Sequence, residues 1–156
     1  MGGIMNNESG RSLIEILGVL AIIGIMTAGT IVTYNSIRKN QIRMSATTKI
    51  EQIAKDVKIL LQTRGDYTGV SIDYLIKAGA LKSGDSPIGG EAWSVASSVN
   101  GDYFSINITD ISESDCIYFA TKPFEWVQTI LINGYEVSDV NNCFSSDTNQ
   151  ISFIIE

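Results

Sequence analysis

"ESGRSLIEILGVLAIIGIMTAG", residues 8–29, decides the fold. A glutamate, Glu15, stands at the head of a run that carries no charge from Ile16 to Ile37. A helix over those residues is about 33 Å long at about 1.5 Å per residue, against a bilayer core of roughly 30 Å. A secretory signal has a shorter apolar core and a small-residue cleavage site after it, so this run reads as a retained transmembrane segment. Its polar members, Thr27, Thr30, Thr33, Tyr34, Asn35 and Ser36, lie toward the far end. Arg38-Lys39 follow the run and only Arg11 precedes it, so positive charge alone leaves its orientation open.

Glu15 admits two readings. A carboxylate at the edge of a bilayer helix costs a few kcal/mol unless it snorkels or is paired. In the first reading Ser12 is an N-cap and S-L-I-E a capping box, with the helix dipole offsetting part of the cost. In the second, Glu15 faces a positive partner inside an apolar assembly. An amino group freed by cleavage after Gly10 would be such a partner.

Downstream, "RKNQIRMSATTKIEQIAKDVKILLQTRG" (38–65) keeps helical spacing. Ala46, Ile50, Ile53, Val57 and Leu60 fall on one face, with Lys49, Glu51, Lys55, Asp56 and Lys58 on others. No proline interrupts Arg11–Arg64, and Gly65 is a stop signal. One helix is therefore expected over roughly 12–64. Its first half is apolar all round, and its second half is apolar on one face only.

The remainder reads as α+β. "IDYLIKAGAL" (72–81) predicts a short helix, and "GDSPIGG" (84–90) a loop. "AWSVASSV" and "YFSINIT" are strand-like and flank the turn signal Asn100-Gly101-Asp102. Ser112, Glu113 and Ser114 start a helix around Cys116 that stops before Pro123. "VQTILI" and "YEVSDV" flank a second hairpin signal, Asn133-Gly134, and "ISFIIE" is a terminal strand. Strands gathered after a long helix predict an antiparallel sheet lying on that helix.

Composition limits the chemistry. The 156 residues suffice for one domain of ordinary size, and histidine is absent. Two cysteines without histidine fall short of a zinc set, Gly89-Gly90 lack a phosphate-binding lysine, and no nucleophile–base pair is evident. No metal, cofactor or catalytic residue is expected, and the reading is not an enzyme. Asp110, Glu113 and Asp115 near Cys116 admit a calcium site, but a solvated helix start suits them better. Trp93 and Trp126 read as core or rim aromatics, and Asn107-Ile108-Thr109 is a weak glycosylation sequon.

Net charge is −6, which argues against nucleic acid as a partner. Residues 38–64 hold seven Lys/Arg against two acids, for +5, whereas 65–156 hold three Lys against thirteen Asp/Glu, for −10. Such a split favours attraction between subunits or serves two solvated surfaces. Cys116 and Cys143 are an even pair. An exported chain would join them in one disulfide, and a reducing cytosol would leave two free thiols.

"SGRSLIEILGVLAIIGI" resembles the class III signal of type IV prepilins: a short polar leader ending in Gly10, then a glutamate five residues on within an apolar helix. The resemblance implies cleavage after Gly10 by a prepilin peptidase and methylation of the new N-terminus, Arg11. It also implies an apolar helix that first anchors the subunit in the inner membrane and then packs in a filament core. Glu15 is then the assembly residue that neutralises a neighbour's terminal amine. The chain departs from the family in three places. Arg11 stands where Phe is usual, the leader has Glu8 but no Lys or Arg, and Val32 replaces the proline common in the type IVa branch. Gly24 and Gly29 remain as weak points if the helix partly melts in a filament.

The likeness extends into the head. "LLQTRGDYTGVSIDYLIKAG", "GGEAWSV", a cysteine on a helix and a second before the last strand resemble type IVb pilins of the PilS thin-pilus and toxin-coregulated types. It implies a Cys116–Cys143 disulfide and a pilin-like α+β fold, a long N-terminal helix packed on a C-terminal antiparallel β-sheet head. The expected divisions are leader 1–10, apolar helix 11–37, amphipathic continuation 38–64 and head 65–156. Partners implied are identical pilin subunits, prepilin peptidase, an inner-membrane assembly platform and, before assembly, membrane lipid. The chain would pass from the inner membrane to an extracellular pilus. Two alternatives stay open: a type II secretion pseudopilin or minor pilin, and a single-pass anchored binding domain or adhesin that does not polymerise.

Overall fold

The structure, a computed structural model, describes residues 8–88, 92–137 and 142–156. The first seven residues of the expected leader, Gly89-Gly90 of the expected loop and residues 138–140 of the second expected hairpin lie outside the described residues. The chain divides into two compact units, Met1–Gln41 and Ile42–Glu156.

Helix α1 spans Glu8–Leu61. It begins before Ser12, so Ser12 lies inside the helix and forms no capping box with Glu15: residues 8–11 already hold helical backbone. It ends three residues short of the expected Arg64. Arg64 N–H turns back to Leu61 O at 3.0 Å, and Gly65 takes a left-handed φ of 78°. In the first unit every side chain from Ser12 to Gln41 is exposed.

In the second unit α1 shows the expected single face. Ala46, Ile50, Ile53, Ala54, Val57 and Leu61 are buried, with Leu60 at the rim. They share one core with the inward side chains of a five-stranded antiparallel sheet, β1 (Trp93–Ser97), β2 (Phe104–Ile111), β3 (Thr129–Ile132), β4 (Tyr135–Glu136) and β5 (Asn149–Ile155). The spatial order is β1-β2-β5-β3-β4, so the last strand is the central one. Phe104↔Ile155, Ile106↔Phe153 and Ile108↔Ile151 are directly paired, which aligns the period-2 apolar residues of both strands on one face. Phe153 is the aromatic centre of that face. Its ring centroid lies 5.9 Å from Phe119, 5.6 Å from Phe124 and 5.8 Å from Trp126.

Both hairpin signals form. Asn133 and Gly134 adopt positive φ of 51° and 86°, the pairing a two-residue turn between β3 and β4 needs. The β1–β2 turn closes through Ser98 N–H to Tyr103 O at 2.8 Å, with Gly101 at φ 79°. Helix α2 covers only Ile72–Lys77 of the expected 72–81, capped by Ser71 Oγ, because Gly79 turns left-handed at φ 80°. Helix α3, Glu113–Thr121, starts at the N-cap Ser112 and gives way to extended backbone at Lys122, before Pro123. Strand β5 begins at Asn149, two residues earlier than expected, through pairing with Ile111 beyond a bulge at 108–111.

Gly101 is needed twice over. Its carbonyl accepts from Tyr67 N–H at 2.9 Å, and a Cβ there would sit 2.6 Å from Thr68 Oγ1. Gly101→Ala therefore combines a positive-φ penalty with a clash and should destabilise the second unit by roughly 1–3 kcal/mol. A near-ultraviolet circular dichroism melt in detergent measures this. An unchanged midpoint would show that loop 66–68 does not rest on the hairpin.

Candidate functional site

Two regions carry the expected site residues. The first lies in the first unit. Gly10 and Arg11 are within the helical backbone of α1. Glu15 is exposed one turn further on, amid Leu13, Ile14, Ile16 and Leu17, each more than half exposed. Among the described residues no ion pair involves Glu15. Large apolar side chains continue in every direction around the helix through Ile37. By length and composition α1 is able to cross a membrane.

The threonines in this run do not spoil it. Thr27 Oγ donates to Ile23 O, Thr30 Oγ to Thr27 O at 2.9 Å and Thr33 Oγ to Gly29 O at 2.9 Å. Each hydroxyl is satisfied by its own helix, which suits a medium without water.

The second region fastens α3 and the segment before β5. Cys116, fully buried on α3, is bonded to Cys143, with Cα atoms 5.9 Å apart and a sequence separation of 27. Closing a loop of that length is worth roughly 3.5 kcal/mol on a chain-entropy account. The segment is held a second time, by Asn149, which is fully buried. Its Oδ1 accepts from Phe144 N–H at 2.7 Å and from Asn133 Nδ2 at 3.0 Å. Its Nδ2 donates to Phe144 O at 2.9 Å and Ser146 O at 2.8 Å. Asn133 in turn accepts from Gln150 N–H at 2.8 Å and donates to Asn142 O at 2.7 Å. A buried amide that satisfies several backbone groups at once stands in for regular secondary structure in this loop.

The start of α3 is not merely solvated. Asp115 Oδ1 accepts from Arg43 Nε at 2.6 Å, with side chains 27% and 17% exposed, and Asp115 Oδ2 accepts from Ser112 Oγ at 2.7 Å. Arg43 also donates to Ser114 Oγ at 3.0 Å and stands 5.3 Å from the Tyr118 ring centroid. Asp110 and Glu113 are exposed, and no group of metal-ligating side chains exists among the described residues. Trp93 and Trp126 sit at the core rim, with Trp93 Nε1 donating to Gly84 O at 2.8 Å. Asn107 lies within β2 and donates to Ser94 Oγ and Ser105 Oγ. Neither Asn149 nor the Arg43–Asp115 pair was expected. Arg43 counts as one more charge on a basic helix until α3 is placed beside it.

A long N-terminal helix whose second half lies on a C-terminal antiparallel sheet is the fold of type IV pilins. No protein-family model matches the sequence, and no curated protein matches it. Among solved structures the chain is similar to the crystal structure of TcpA, a type IV pilin from Vibrio cholerae El Tor biotype. The TM-score is 0.59 at 12% sequence identity, over 74% of this chain and 99% of that one. At this identity the likeness establishes the fold.

Removing Asp115 strands a half-buried guanidinium. Asp115→Ala and Arg43→Ala should each destabilise by roughly 1–3 kcal/mol, and the double variant by clearly less than the sum. Melting midpoints of the three variants test this. Strict additivity would mean the pair contributes nothing as a pair.

Proposed function

We propose that this chain is a type IV pilus subunit of the type IVb kind. The observation that carries the reading is α1. From Leu13 to Ile37 its first unit offers exposed, mostly apolar side chains, broken by Glu15, three threonines bonded to their own helix and the polar group Tyr34-Asn35-Ser36 near the far end, on a chain with the fold of TcpA, itself a pilin. Such a surface is stable in lipid or against other helices of the same kind.

On this reading residues 1–10 are a leader, 11–37 the membrane and filament-core helix, 38–64 its amphipathic continuation and 65–156 the head. Prepilin peptidase cuts after Gly10 and methylates Arg11. Lipid holds the helix in the inner membrane until an assembly platform transfers it to a filament of identical subunits on the cell surface. Glu15 pairs with the terminal amine of a neighbouring subunit, which meets the few-kcal/mol cost of a carboxylate in an apolar setting. The glycines support this. Gly18, Gly24 and Gly29 each cost about 1 kcal/mol relative to alanine in a helix interior, yet a Cβ at any of them would meet nothing within 4 Å. Nothing in the single chain requires them, whereas close helix packing favours small residues. The role is structural, with the acidic head outward.

Glu15→Ala should leave membrane insertion intact and reduce surface filaments at least tenfold. Cell fractionation and electron microscopy of negatively stained cells provide the two readouts. Normal piliation of the variant would remove Glu15 from assembly.

A further inference from the structure

The chain holds two Asn-Gly pairs, Asn100-Gly101 and Asn133-Gly134, each in the turn of a hairpin. In such a pair the glycine amide nitrogen reaches the asparagine side-chain carbon with the least obstruction, because glycine has no Cβ. The two pairs sit in opposite surroundings. The Asn133 side chain is fixed at both ends. Its Nδ2 donates to Asn142 O at 2.7 Å and to Asn149 Oδ1 at 3.0 Å, and its Oδ1 accepts from Gln150 N–H at 2.8 Å. Asn100 is exposed, and among the described residues no hydrogen bond holds its side chain. Its neighbour Val99 is wholly exposed. The attacking nitrogen is restrained by the turn's own bond, Gly101 N–H to Ser98 O at 3.1 Å. An exposed turn of this kind opens locally at small cost.

We propose that Asn100 is a site of spontaneous deamidation in the folded chain, and that the hydrogen bonds of Asn133 keep the second pair intact. As the turn opens, water or hydroxide takes the Gly101 amide proton. The nitrogen attacks Asn100 Cγ and forms a C–N bond. The Cγ–Nδ2 bond breaks, and Nδ2 takes up a proton and leaves as ammonia. The product is a cyclic imide. Water then opens the ring on one of its two sides. Cleavage of the new bond to Cγ gives aspartate. Cleavage of the original peptide bond gives isoaspartate, whose main chain runs through Cγ and is one carbon longer. Asparagine and water become an acid and ammonia, with nothing oxidised or reduced and no enzyme or cofactor needed. The extent of reaction therefore grows with the age of the folded chain.

The product has a structural consequence. Gly101 O accepts from Tyr67 N–H at 2.9 Å, and Gly101 leaves no room for a Cβ beside Thr68 and Asp66. A main chain lengthened at position 100 cannot keep both the Ser98–Gly101 turn and the contact with Tyr67. The Tyr67 ring, 4.8 Å from that of Phe104, carries the change toward the core. The new carboxylate also adds charge to a turn that holds Asp102 and rests against Asp66, in a segment already at −10. The site rests on the second unit's fold and stands whether or not the chain polymerises.

The test is to age the purified full-length chain in detergent in a mildly alkaline buffer and to follow each pair by peptide mass spectrometry, with enzymatic methylation to count isoaspartate. Asn133 must release three side-chain hydrogen bonds before it reacts, so Asn100 should convert about tenfold faster. In denaturant with the disulfide reduced, the two pairs should convert at comparable rates. Hydrogen exchange at Tyr67 N–H should quicken in the isoaspartyl form, whereas Asn100→Asp, which adds the charge without the extra carbon, should leave it slow. Three results would overturn the proposal: an Asn100 that stays intact in the folded chain while it converts in denaturant, an Asn133 that converts as fast as Asn100 in the folded chain, or a Tyr67 N–H that exchanges equally slowly in the isoaspartyl form.

Discussion

The apolar surface of α1 constrains everything else. Side chains from Leu13 to Ile37 point outward all round the helix, with none of them covered within the chain. Burying a leucine or isoleucine fully is worth about 1.5–3 kcal/mol, so the ten such residues between Leu13 and Ile37, left in water, would outweigh the net stability of an ordinary domain. The helix therefore needs a cover, and on the proposed reading that cover is first lipid and then the chain's own copies. Glu15 takes its meaning from that requirement. In a soluble protein it would be one more surface charge. At the head of a lipid-covered helix it needs a counter-charge, which on the proposed reading is the free terminal amine of a neighbour.

The second unit solves a different problem. Its central strand, β5, follows the other four in sequence, so the sheet is incomplete until β5 enters between β2 and β3. The segment leading into β5 has little regular structure of its own. The Cys116–Cys143 disulfide ties it to α3, and the Asn149 amide satisfies its backbone. The Arg43–Asp115 pair, in turn, fastens α3 to α1. Three chemically distinct fastenings thus converge on α3 and β5, around the aromatic cluster centred on Phe153.

Most of the architecture was legible because it rests on local signals. Helix periodicity marked the buried face of α1, Asn-Gly pairs marked both turns, and Ser112 and Pro123 bounded α3. Errors arose where one local signal met another. Ser12 looks like an N-cap, yet residues 8–11 extend the helix past it, and a single Gly79 shortens α2 more than its apolar pattern implies. What remained illegible is long-range. The partner of Asp115 lies 72 residues away at Arg43, and Asn149 bonds Asn133 sixteen residues upstream. Neither residue has a local pattern that distinguishes it from a solvated neighbour. The place of β1 is of the same kind. "WSVAS" reads as a strand, but only the strand order shows that it lies at the border of the sheet.

The claim that α1 is a processed and retained segment is tested most directly by intact-mass and N-terminal peptide mass spectrometry of the chain from its native membrane and surface fractions. The account predicts a chain that begins at Arg11, carries a methyl group on its terminal amine and is two hydrogens lighter than the reduced form. A chain that still carries Met1–Gly10 in cells with an active prepilin peptidase would contradict it, and α1 would then be the anchor of a protein that does not polymerise.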